Sequence, residues 1–101
     1  MSLVVTKITR TLKPGLNCED SYTVLTLEAH STSATFVLTC SEATYPNDSE
    51  NREVCADFEP GTYDVRMLSP RVISFGQEDT KSKPGAHLLP YKIAVEEART
   101  R

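Results

Sequence analysis

The residues of this chain best suited to chemistry begin with three cysteines: Cys18, Cys40 and Cys55. No two of them form the closely spaced pair that zinc sites use, so we predict no metal site. Cys40 and Cys55 lie fifteen positions apart, and in an oxidising compartment a disulfide between them would stabilise the fold by about 3 kcal/mol. In a reducing cytosol all three would be thiols, and this is the default expectation.

The candidate general bases are the two histidines, His30 and His87, and both fall in predicted turns or loops. Nucleophilic catalysis needs a nucleophile, a base and an orienting group that converge in space. The sequence contains neither a G-x-S-x-G nor an H-E-x-x-H signature to support such a site. We therefore predict no enzyme and no cofactor, with a small enzyme using His30 or His87 as an alternative.

Acidic residues concentrate in the middle of the chain. Between Glu42 and Asp64 seven acids accompany one base, so this stretch carries −6 while the whole chain carries −3. Residues 42–59, the acidic segment, are predicted to form a binding loop whose charge steers a partner protein with a basic surface. Its candidate binding residues are Tyr45, Asn47, Asp48, Asn51, Arg52 and Glu53, since Tyr and Arg are favoured interface anchors. The alternative is an ordinary solvated connection.

Composition disfavours two classes of partner. Nucleic-acid binding needs clustered Lys and Arg, whereas the net charge here is −3. No apolar run approaches the roughly 18–20 residues that span a bilayer, and Lys7 and Arg10 make the first twelve residues unlike a signal peptide. We predict a cytoplasmic protein that binds neither nucleic acid nor membrane. A mature secreted domain stays open as an alternative.

Alternating side chains predict the elements that position these residues. In residues 34–41 four residues fall on one face, and residues 22–29 repeat this period across a short polar turn, so the two stretches predict a hairpin. The four residues are Ala34, Phe36, Leu38 and Cys40.

Further strands are predicted at residues 3–12, 63–67, 72–75 and 89–95. In the first of these, Val4, Ile8 and Leu12 are predicted to share one side of the strand. The expected fold is mainly β, a single domain over residues 1–101, built as an antiparallel β-sandwich or open barrel of six to seven short strands. One short helix at residues 49–58 is an alternative to an irregular loop there. An apolar last strand leaves a homodimer through a sheet edge open.

The segment from Leu38-Thr39-Cys40 through Pro46 to residues 55–58 resembles the first disulfide loop of the subtilisin-inhibitor family, whose members are small sheet proteins. The resemblance implies a protease-inhibitor-like or accessory role for a Cys40–Cys55 loop. It covers about a fifth of the chain. The family's second disulfide, which holds its protease-binding loop, has no counterpart because no cysteine follows Cys55.

Overall fold

The chain folds into β-strands. The computed structural model describes residues 1–14, 21–43, 53–56, 59–75 and 87–98, and no helix occurs among them. The strands are β1 (Ser2–Lys13), β2 (Tyr22–His30), β3 (Ala34–Ala43), β4 (Glu53–Cys55), β5 (Gly61–Ser69), β6 (Val72–Phe75), β7 (His87–Leu89) and β8 (Tyr91–Ala98). Six of them form a closed antiparallel barrel in the order β1-β2-β3-β8-β6-β5, and β4 pairs with β7 in a separate two-stranded sheet.

The mainly β fold is confirmed, and the sheet closes into a barrel. The helix considered for residues 49–58 is wrong where that stretch is described, because positions 53–55 form strand β4. There the extended backbone of β4 pairs in parallel with β7. Pairing with a strand from far along the chain outweighs a weak local helical pattern.

The predicted hairpin of β2 and β3 is confirmed by nine antiparallel pairs that run from Tyr22↔Ala43 to His30↔Thr35. Its predicted inward face is buried, as the alternation requires. The buried members are Leu25, Leu27, Ala29, Ala34, Phe36, Leu38 and Cys40. This face forms nearly half of the buried apolar residues of the barrel, so the hairpin is the main source of the core.

Ser31 closes the hairpin from inside the turn. Its side-chain oxygen accepts hydrogen bonds from the backbone N–H groups of Ser33 and Ala34, each at 3.2 Å. Its own backbone N–H donates to the Ala34 carbonyl at 2.8 Å. A buried hydroxyl is thereby satisfied by the turn that it shapes.

A β-bulge part-way along strand β1 reverses which of its side chains point toward the core. The β1–β2 register shifts between Val5 and Lys7, which leaves Thr6 as an extra residue in a β-bulge. Val5 is buried before the bulge, and Ile8 packs against the core after it. The expectation that Val4, Ile8 and Leu12 share one side of the strand is therefore wrong, since the bulge places Val4 and Ile8 on opposite faces. Leu12 lies 65% exposed at the far end.

Aromatic rings fill the part of the barrel where pairing is sparse. Strands β6 and β8 share only the pairs Val72↔Lys92 and Ile73↔Tyr91. Across this seam the rings of Phe75 and Tyr91 meet edge to face with centroids 5.5 Å apart. Such ring contacts add about 0.5–1.5 kcal/mol beyond area burial, which supports a seam with few ladder hydrogen bonds.

Candidate functional site

The end of β3 is where the acidic segment leaves the barrel. The predicted binding residues Tyr45, Asn47, Asp48, Asn51 and Arg52 lie outside the described residues. Glu53 is the first residue of β4, where the described chain resumes. The structure therefore describes the two ends of the acidic segment that attach it to the barrel.

A disulfide joins these two attachment points. Cys40 on β3 is bonded to Cys55 on β4, with their Cα atoms 5.9 Å apart. Both residues are buried, at 4% and 3% exposure, which shields the bond from reductants in the folded protein. Because Cys40 is covalently paired, it provides no thiolate nucleophile in this structure.

Two hydrogen bonds reinforce the disulfide from different strands. The backbone N–H of Cys55 donates to Oε2 of Glu42 at 2.8 Å. This hydrogen bond joins the first residue of the acidic segment to the backbone near the other end of the segment. The hydroxyl of Tyr91 donates to the carbonyl of Ala56 at 2.9 Å in the barrel interior. We call these five residues, Cys40, Glu42, Cys55, Ala56 and Tyr91, the anchor.

The anchor continues into the parallel ribbon of β4 and β7. Its pairs are Glu53↔His87, Val54↔Leu88 and Cys55↔Leu89. His87 thus begins a short strand, whereas the sequence placed it at the end of a surface loop. Leu88 and Leu89 pack against the barrel core. The ribbon is attached to the barrel by apolar contacts as well as by the disulfide.

A cleft of about 230 Å³ opens beside the disulfide, between β3 and the start of β8. It forms because β3–β8 pairing ends at Thr39↔Lys92 and Pro90 has no N–H with which to continue the ladder. Its lining residues are Thr39, Cys40, Ser41, Leu89, Pro90 and Lys92. Cofactor and drug-sized sites usually occupy about 300–1,000 Å³, so this smaller cleft suits a side chain or a short extended segment.

The sequence predicted a turn at His30, but His30 is the last residue of β2. It lies in a second groove, of about 290 Å³, near the start of β3. The groove is also lined by Glu28, Glu97, Thr6 and Thr35. Among the described lining residues neither a cysteine nor a serine accompanies His30, and Thr6 and Thr35 are the residues that carry a hydroxyl. Within the described ranges no group of three or more potential ligands is placed to hold a metal ion.

The sequence did not indicate the parts that Tyr91 and Ala56 play in the anchor. One signal was available: Tyr91 alternates with Ile93 toward the inside of a strand, and a buried tyrosine hydroxyl needs a polar partner. The identity of that partner carried no signal, since Ala56 lies thirty-five positions earlier in the chain.

Together the fold and site define a small all-β barrel domain with an acidic segment attached at both ends by the anchor. No family model matches the chain, and neither a curated protein nor a solved structure matches it. In the part of the chain that the structure describes, there is no helix of the length and apolarity needed to cross a membrane.

Proposed function

We propose that this protein is a non-catalytic binding domain that contacts a basic-faced partner protein through the acidic segment. The observation that carries the proposal is the anchor. A disulfide and the hydrogen bonds of Glu42 and Tyr91 hold both ends of the segment at one place on the barrel. Recognition loops are typically carried on a rigid scaffold in this way.

Fixing both ends lowers the cost of binding. A free chain loses conformational entropy when it docks, whereas a segment with restrained ends has already lost part of it on folding. The anchor leaves the chemistry of recognition to the residues between its two ends. Among these, Tyr45 and Arg52 are proposed to contribute most of the binding energy. Asn47, Asp48, Asn51 and Glu53 are proposed as polar contacts.

Charge and shape support the same surface. Residues 42–59 contain six acids and one base, giving −5, which attracts cations and speeds encounter with a basic surface. The cleft between Ser41 and Pro90 adjoins the anchor and offers a concave surface beside this charge.

We infer that the protein works in an oxidising compartment, which favours the mature secreted domain over the cytoplasmic expectation. The support is the buried Cys40–Cys55 bond, since disulfides persist in oxidising environments and are rare in the reducing cytosol.

The test is a selection of short random peptides displayed on phage against the oxidised protein. We expect enriched peptides rich in Lys and Arg, whose measured affinity falls as salt rises. The variant D48K/E50K should abolish binding, while the control E96K/E97K, with the same charge change on β8, should retain it. Equal affinity for both variants, or enriched peptides that are not basic, would contradict the proposal.

A protease-inhibitor-like role is the second candidate, and the anchor is again the favouring observation, because inhibitory loops must be held rigidly. Inhibition of a subtilisin-like or trypsin-like protease by the oxidised protein, lost on reduction, would support it. Rapid cleavage within the acidic segment without inhibition would exclude it.

A further inference from the structure

The second half of strand β1 extends past the end of its neighbour β5. The strand pairs with β2 as far as the pair Lys13↔Tyr22. On its other side it pairs with β5 only through Ser2–Val5, and no other described strand continues that side. Residues 7–13, which we call the basic edge, therefore have a strand neighbour on one side only among the described strands.

The composition of the basic edge favours an added strand. Ile8, Thr9 and Thr11 are β-branched and prefer extended backbone. Apart from the half-buried Ile8, every residue of this edge is exposed. An exposed strand side presents backbone N–H and C=O groups that can pair with another chain.

The charge of the basic edge indicates what kind of added strand would bind there. It carries Lys7, Arg10 and Lys13 and no acid. The Nζ atom of Lys7 lies 3.8 Å from Oε2 of Glu28. This ion pair is exposed, and exposed pairs contribute little to stability, so Lys7 can exchange partners at small cost.

The same strand of a second copy is a poor occupant of the basic edge. Antiparallel self-pairing centred on Arg10 would set Arg10 opposite Arg10 and Lys7 opposite Lys13. Like charges directly opposite one another on paired strands are destabilising. An acidic strand would instead set carboxylates opposite Lys7 and Lys13, and opposite charges across paired strands are stabilising.

We propose that the basic edge is a second binding surface, which takes an extended acidic peptide as an added β-strand. Main-chain hydrogen bonds to the open side of β1 supply affinity, and Lys7 and Lys13 select for carboxylates. This goes beyond binding by the acidic segment, because the ligand has the opposite charge and the surface lies on another strand.

The test uses the full oxidised protein labelled with ¹⁵N and a peptide of alternating Glu and Val, matched in length to the basic edge. We expect amide shifts concentrated in residues 7–13 and slower hydrogen exchange at alternate amides there. The variant K7E/K13E should bind about tenfold more weakly, a difference of about 1.4 kcal/mol. The control R66E/R71E, with the same charge change on β5 and its following turn, should bind as the wild type does.

Several results would overturn the proposal. One is equal binding of the same peptide with Lys in place of Glu. Another is protection of all amides of the basic edge in the free protein, which would mean that the chain's own residues already cover it. Absence of shifts in residues 7–13 would mean that the lysines only discourage self-pairing. D48K/E50K should not weaken this binding, so its outcome is separate from that of the acidic segment.

Discussion

The β2–β3 hairpin and the β4–β7 ribbon are two paired elements that are held together in different ways. The hairpin makes nine antiparallel pairs across a turn closed by Ser31. The ribbon makes three parallel pairs, and a disulfide and the Tyr91–Ala56 hydrogen bond attach it to the barrel. The hairpin depends on contacts close in sequence, whereas the ribbon depends on contacts between distant residues. Weakening the anchor should therefore release the ribbon and spare the hairpin.

The largest expected effect comes from the hairpin core. Leu38 is fully buried, and Leu38→Ala should lower the free energy of unfolding by about 2–5 kcal/mol through lost burial and a cavity. Chemical denaturation monitored by circular dichroism measures the change. Leu68→Ala, at a site 55% exposed, is the control and should shift stability by no more than about 0.5 kcal/mol. Equal shifts would mean that the hairpin is not the core of the fold.

Removal of the disulfide is expected to cause the second-largest loss of stability. The variant C40A/C55A should lose about 3 kcal/mol of stability because the unfolded chain is no longer cross-linked. Amide exchange should become fast in β4 and stay slow in β2 and β3. Uniform loss of protection across both elements would contradict the separation of ribbon from hairpin. The bond itself is checked by mass, since the oxidised protein is lighter than the reduced one by a pair of hydrogens.

The hydroxyl of Tyr91 should contribute less than the disulfide. Tyr91→Phe keeps the ring against Phe75 but removes the donor to the Ala56 carbonyl, at an expected cost of about 1 kcal/mol. Thermal unfolding of the oxidised protein measures it. Tyr22→Phe removes a hydroxyl from a more exposed site and should leave the midpoint unchanged. A Tyr91 variant as stable as the wild type would mean that this hydrogen bond does not stabilise the anchor.

The smallest effect is expected at Glu42. Glu42→Gln keeps an oxygen acceptor for the Cys55 N–H but removes its charge, so stability should fall by about 0.5 kcal/mol or less. The sharper readout is faster amide exchange at Cys55. Glu28→Gln, on the hairpin, should leave that amide unchanged, and an equal acceleration by both would assign the effect to net charge.

The hairpin was predictable because strict alternation marks both its strands and its buried face. The bulge at Thr6 was not, since one extra residue leaves no mark in a strand of β-branched residues and still reverses the face of Ile8. Strand β4 was also hidden. Its three residues are too few to show a period, and their partner β7 lies far along the chain.

The candidate site was predictable in part. The spacing of Cys40 and Cys55 allowed the bond found in the structure, while the sequence alone favoured free thiols because it carries no record of compartment. The burial of Cys40 followed from its place on the inward face of a strand. The contact of Glu42 with Cys55 depends on how the chain returns to the barrel, which local patterns do not specify.

The proposed function requires the anchor to present the acidic segment for binding. Its most direct test compares the affinity of one selected basic peptide for the oxidised wild type and for C40A/C55A, at a temperature where amide exchange shows the barrel of the variant to be folded. We predict binding about tenfold weaker without the disulfide, because the segment must then be ordered on docking. Equal affinity for the two proteins would contradict the account.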